Sequence, residues 1–118
     1  MDIRLIRLLF WAAALFAFVM AVLPHPPEVP GNPSDKLQHI AAFVTLSLLG
    51  AWAYPRLPLL KLGIYLSLFG ALIEVVQAIP ALHRDSDVMD WLADTIAIAL
   101  VLLPIAWWRR RRRAASRT

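Results

Sequence analysis

Residues 59–79 read LLKLGIYLSLFGALIEVVQAI, a run whose only charged residues are a lysine near its start and a glutamate near its end. A membrane span needs about 20 predominantly apolar residues, so the run is long enough to cross. Pro80 stops it. Gly70, Glu74 and Gln77 fall at i, i+4 and i+7 and share one helical face. Gly63, Ser67 and Ala71, four apart on much the same side, form a small-residue stripe that permits close helix approach. A carboxylate facing lipid is costly, so the stretch predicts a helix that turns Glu74 into a bundle.

Three more segments of similar length flank it. The first runs over about residues 3–23, with an unbroken apolar stretch from Leu8 to Leu23, and its Arg4 and Arg7 can reach the headgroups. Pro24, Pro26, Pro27, Pro30 and Pro33 then make an extended linker. The second segment covers about 35–54 and stops at Pro55, and the fourth covers about 88–108, with Pro104 predicting a kink. Residues 109–118 form a basic tail. Ser34 and Asp35 suit the N-terminus of the second helix and Asp87 that of the fourth, so capping is a sufficient role for Asp35 and Asp87. The first segment also has the marks of a signal peptide, with a candidate cleavage site at Val19-Met20-Ala21, but its apolar core is long for one.

Composition agrees. Hydrophobic residues make up 60% of the 118 residues, and the mean hydropathy is +0.64. Soluble domains contain roughly 45–50% apolar residues, so lipid must cover part of this surface. The expected fold is all-α: one integral membrane domain, a four-helix bundle. There are no cysteines, which excludes disulfides, thiolate metal ligation and cysteine nucleophiles. The net charge of +4 would suit nucleic acid, but Arg109, Arg110, Arg111, Arg112 and Arg113 directly follow a membrane segment. That placement is a cytoplasmic anchor for anionic headgroups and points away from nucleic acid. With the N-terminus inside, Arg4, Arg7, Arg56, Lys61, the arginine run and Arg117 put ten of the twelve basic residues in the cytoplasm. The positive-inside rule therefore predicts four helices with both termini cytoplasmic.

The same threading gathers the remaining polar residues at the outer end. Asp35, Lys36 and His39 open the second helix, with Phe43 one turn past His39. Glu74 and Gln77 close the third; Arg84, Asp87, Asp90 and Asp94 lead into the fourth. If five carboxyls meet only Lys36, Arg84 and a titratable His39, either a proton is held among them or a cation sits there. Four readings follow. A structural polar network would fasten the bundle. A catalytic site would use His39 and Glu74 as acid–base partners, with Asp90 among the catalytic carboxyls and an aspartate orienting His39. A hard-metal site would draw on His39, Glu74, Asp90 and Asp94 for a divalent cation. Proton or ion translocation ranks last, because the inner halves of the helices carry no matching polar path. Lys36, Gln77 and Arg84 are the candidate substrate-binding groups, the two cations suiting an anionic headgroup or phosphate. His25 and His83 fall in loops, and the five tryptophans suit an interfacial belt.

On these residues the chain resembles the VanZ-like family of small bacterial membrane proteins. The matching pieces are Asp35-Lys36-x-x-His39-x-x-x-Phe43, then Gly70-x-x-x-Glu74-x-x-Gln77, then Arg84 followed six residues later by Asp90, with Asp94 four beyond. They extend from Asp35 to Ala97 in the family's order and spacing, over about half the chain. Asp94 stands where the family usually has Asn, and Ala97 where it usually has Gly. The resemblance implies a multi-pass inner-membrane protein of the cell envelope, in a family named for a member linked to teicoplanin (glycopeptide) resistance. It supplies a site and no reaction. From the site's position, the expected partners are the lipid bilayer and an envelope lipid or lipid-linked cell-wall precursor, bound or modified there. The rival expectation is a non-enzymatic scaffold that alters permeability or binds a partner.

Overall fold

A computed structural model describes residues 2–23, 35–79 and 88–116. They form four α-helices in chain order: α1 (Ile3–Val22), α2 (Asp35–Ala53), α3 (Leu59–Gln77) and α4 (Val88–Ser116). Three of them, α1, α3 and α4, are long and apolar enough to cross a membrane. Not among them is α2, whose first turns hold Asp35, Lys36, Gln38 and His39 and so shorten its apolar part. The chain reads as a membrane-embedded protein in contact with lipid.

Local signals set the helix ends. Asp2 caps α1 by accepting from the Arg4 amide at 3.0 Å. Between α2 and α3, Pro55 and Pro58 hold a short turn in which the Leu57 amide donates to the Tyr54 carbonyl at 3.1 Å. The basic tail expected from Arg109 onward is instead helical, and α4 continues through Ser116. Nothing after Trp108 breaks a helix, because arginine and alanine both have high helix propensity. Two stacked pairs stiffen this extension, Arg111 over the Trp107 ring and Arg112 over Trp108, each spaced i, i+4. At 29 residues α4 is roughly 43 Å long, more than the ~30 Å hydrocarbon core, so its arginine turns project beyond it.

The α2–α3 pair occupies the centre, with α1 and α4 each packed against both of its members. Ile6 and Phe10 of α1, Phe43 and Leu46 of α2, Leu62, Leu66 and Ile73 of α3, and Ile98 and Leu102 of α4 make the core. Outward-facing Leu15, Phe16, Leu60, Leu68, Val75, Leu100 and Leu103 present an apolar surface suited to lipid. The small-residue stripe of α3 faces α4 as expected. Gly63 lies against Leu102 and Ile98, and the Ser67 hydroxyl pairs with that of Thr95 at 2.9 Å. Trp91 departs from the expected belt. It lies half-buried between α3 and α4, donating its indole N–H to the Ser67 carbonyl at 3.0 Å.

Antiparallel packing sorts the charges by end. At one end the Arg7 Nε donates to the Ala53 carbonyl at 2.9 Å, and the Arg109 Nη2 to the Ala51 carbonyl at 3.0 Å. Two arginines from opposite sides thus cap the last carbonyls of α2, which α2 itself cannot satisfy. Tyr54, which accepts from the Trp11 indole at 2.8 Å and lies under Arg7, completes this basic end. The opposite end holds His39, Glu74, Gln77, Asp90 and Asp94.

Candidate functional site

Three helices supply the acidic end. From α2 comes His39, one turn before the buried Phe43; from α3 come Gly70, Glu74 and Gln77; from α4 come Asp90 and Asp94. Gly70 makes the meeting of α3 and α4 close. A Cβ there would lie 3.4 Å from the Asp94 Oδ2, 3.4 Å from the Phe43 ring and 3.5 Å from Trp91. The Asp94 carboxylate therefore lies against the α3 backbone, with no solvent exposure.

One ligand atom each from His39, Glu74 and Asp94 lies within 4.8 Å of the other two. The His39 Nδ1 is 3.7 Å from the Asp94 Oδ2, ion-pair distance but beyond a direct hydrogen bond. Among the described residues, the His39 Nδ1, both Asp94 oxygens and the Gln77 Oε1 are buried without a hydrogen-bond partner. Buried polar atoms are almost always satisfied, so such a cluster of orphans marks a place for an ion, a proton or a ligand. One imidazole nitrogen and two carboxylates form a donor set suited to zinc or manganese. Ligand atoms around a tetrahedral zinc lie about 3.4 Å apart, so these would draw in by about an ångström.

The other expected site residues have different placements. Asp90 lies outside the three-residue cluster, one turn nearer the helix start, with its Oδ1 3.9 Å from the Lys36 Nζ. The Lys36 side chain is half exposed, so its ammonium remains reachable from the surface. The Gln77 amide faces α1, donating from Nε2 to the Ala21 carbonyl at 2.8 Å. That bond ties α3 to the end of α1, a bracing role that spacing within α3 could not reveal. Asp35 begins α2, and Arg84, Asp87, His25 and His83 lie outside the described residues. The arginines that cap α2, Arg7 and Arg109, were legible only as basic flanks, because their acceptors come from a distant segment.

Towards the middle of the bundle the polar side chains find partners, Ser67 and Thr95 across α3 and α4 and others within one helix. Ser47 is buried and donates to the Phe43 carbonyl of its own helix at 2.7 Å, and Thr45 does the same to Ala41 at 2.8 Å. Among the described residues the cluster is thus confined to one end.

Fold and site together define an all-helical membrane protein with a buried histidine–carboxylate cluster at one end and an arginine-rich opposite end. No family model matches the chain, and neither a curated protein nor a solved structure matches it.

Proposed function

We propose that the chain is a multi-pass protein of the bacterial inner membrane, both termini cytoplasmic, whose acidic end binds or modifies an envelope lipid or lipid-linked cell-wall precursor. The observation that carries this reading is the convergence of His39, Glu74 and Asp94 from three helices within 4.8 Å. A merely adhesive network has little use for two buried carboxylates. Interhelical hydrogen bonds in membranes contribute only about 0.6–2 kcal/mol each. His39 is the proton-transfer group and Asp94 its orienting partner. Glu74 completes the acid–base pair or, with the other two, holds a divalent cation. Lys36 stands at the rim, where an anionic headgroup would arrive while acyl chains stay in the bilayer. Positive charge at the opposite end supports the orientation: Arg4, Arg7, Arg56, Lys61 and Arg109–Arg113 all gather there. The VanZ-like pattern supports an envelope role and a link to teicoplanin resistance.

The test compares cells expressing wild type, His39→Gln and Asp94→Asn at equal membrane abundance. Polar lipids and lipid-linked precursors are profiled by mass spectrometry, and teicoplanin susceptibility is read alongside. A headgroup species made, consumed or retained by wild type alone supports the reading. Identical profiles and susceptibility in all three strains would reject it.

A second reading, a non-enzymatic scaffold, draws on the Gln77–Ala21 bond and the Lys36–Asp90 pair, which brace helices. Glu74→Gln separates the two. Failure to accumulate in the membrane makes Glu74 structural. Normal accumulation with an altered lipid profile favours the site.

A further inference from the structure

The arginine-rich end contains a second feature that the acidic site does not explain. A groove of about 510 Å³ opens between the α2–α3 turn and the last turns of α4. Arg56 enters it from the turn, and Arg109, Arg110 and Arg113 from α4. Its volume falls within the ~300–1,000 Å³ common for small-ligand sites. Among the described residues, none of these four guanidinium groups has a carboxylate within ion-pair distance. Arg109 is held in place by its bond to the Ala51 carbonyl. Four guanidinium groups lining one groove make a field of a single sign that favours an anion. The positive end of the α3 dipole adds to the same field, since α3 starts here after Pro58 with no side-chain cap.

The remaining walls are apolar and continue onto the outer surface. Leu60 and Leu103 line the groove and are largely exposed, on helices long enough to span, and Trp107 stands beside them. A soluble anion would leave this apolar flank unused. A phospholipid would place its phosphates among the arginines, its glycerol beside Trp107 and its chains along Leu60 and Leu103. Four positive charges exceed what one phosphodiester neutralises.

We infer that this groove is a binding site for an anionic phospholipid carrying two phosphates, held by Arg56, Arg110 and Arg113 with Arg109 as a fixed fourth donor. It rests on the chain being membrane-embedded, but not on the direction of insertion or on the chemistry of the acidic end. It differs from a diffuse basic anchor in that position, not charge alone, decides binding. Arg111 and Arg112 belong to the same turns but stack on Trp107 and Trp108 and do not line the groove.

The experiment is native mass spectrometry of the full chain released from detergent, after exchange with cardiolipin, phosphatidylglycerol or phosphatidylcholine, and separately with inorganic pyrophosphate. Wild type should retain one cardiolipin in preference to phosphatidylglycerol, and no phosphatidylcholine. The paired change Arg110→Gln with Arg113→Gln should weaken cardiolipin retention about tenfold or more. Arg111→Gln with Arg112→Gln, which removes the same charge, should leave it near wild type. Equal loss in both pairs would mean a diffuse anchor and overturn the site. So would retention of pyrophosphate as strong as that of cardiolipin, or of phosphatidylglycerol equal to it. Should the α4 pairs disturb folding, Arg56→Gln on the turn gives the same reading, with Lys61→Gln, which does not line the groove, as its charge-matched control.

Discussion

His39 on α2 and Asp94 on α4 face each other with 3.7 Å between Nδ1 and Oδ2, and the carboxylate is wholly sealed from solvent. An ionised carboxylate at such depth needs a positive partner, supplied by a protonated imidazole or a captured cation. Asp94→Asn keeps the shape and removes the charge, so its stability should equal wild type or exceed it by up to about 2 kcal/mol. His39→Leu leaves the acid stranded and should cost about 3–5 kcal/mol. Thermal unfolding in detergent checks both; the opposite ranking would show that Asp94 is bound by something other than His39.

If a divalent cation completes the cluster, zinc or manganese should stabilise the chelator-stripped protein. At a hundredfold excess over Kd the gain is about 2.7 kcal/mol. Asp94→Asn, having lost one ligand, should lose most of that gain. Flat titrations with both ions would count against a metal at the cluster and in favour of a shared proton between these residues.

Close helix approach should be graded by the space at each glycine. At Gly50 an added Cβ would lie 3.0 Å from both Leu62 on α3 and Phe10 on α1, each buried. Gly50→Ala should therefore destabilise by about 1–3 kcal/mol through overpacking. At Gly63 the nearest atom is 3.4 Å away, and Gly63→Ala should be neutral or stabilising by up to about 1 kcal/mol through helix propensity. Chemical denaturation of the two variants side by side is the check.

Gln77→Leu removes the donor to the Ala21 carbonyl and should cost about 1 kcal/mol. A loss several times larger would mean that Gln77 holds more than the end of α1.

Because the chain contains no cysteine, single replacements report orientation directly. Val88→Cys, exposed at the acidic end, should react with an impermeant maleimide in intact spheroplasts. Ser116→Cys, exposed at the arginine end, should react only after lysis. The reverse pattern would invert the proposed topology.

Where neighbours along the chain decide the outcome, the sequence is easy to read. The first three helices end at Val22, Ala53 and Gln77, within two residues of the expected ends, because prolines follow each of them closely. The fourth outran its expected end because no breaker follows Trp108. Helical spacing also put Gly70, Glu74 and Gln77 on one face, and all three are buried. What spacing could not give is depth and azimuth relative to other helices. Asp90 and Asp94 share a face by the i+4 rule, yet one meets Lys36 near the surface and the other is sealed against Gly70. Gln77 and Trp91 likewise find backbone acceptors on other helices, a pairing decided by tertiary packing.

The capping of α2 by Arg7 and Arg109 bears on how the chain is made. The helix least suited to entering lipid alone has its last carbonyls satisfied by α1, made before it, and by α4, made after it. During translation α2 therefore leaves the translocon with its end half complete and its histidine turn unshielded from α4. Integration of α2 is complete only when α4 docks, so a chain truncated before α4 should leave the Ala51 carbonyl uncapped and α2 less firmly held.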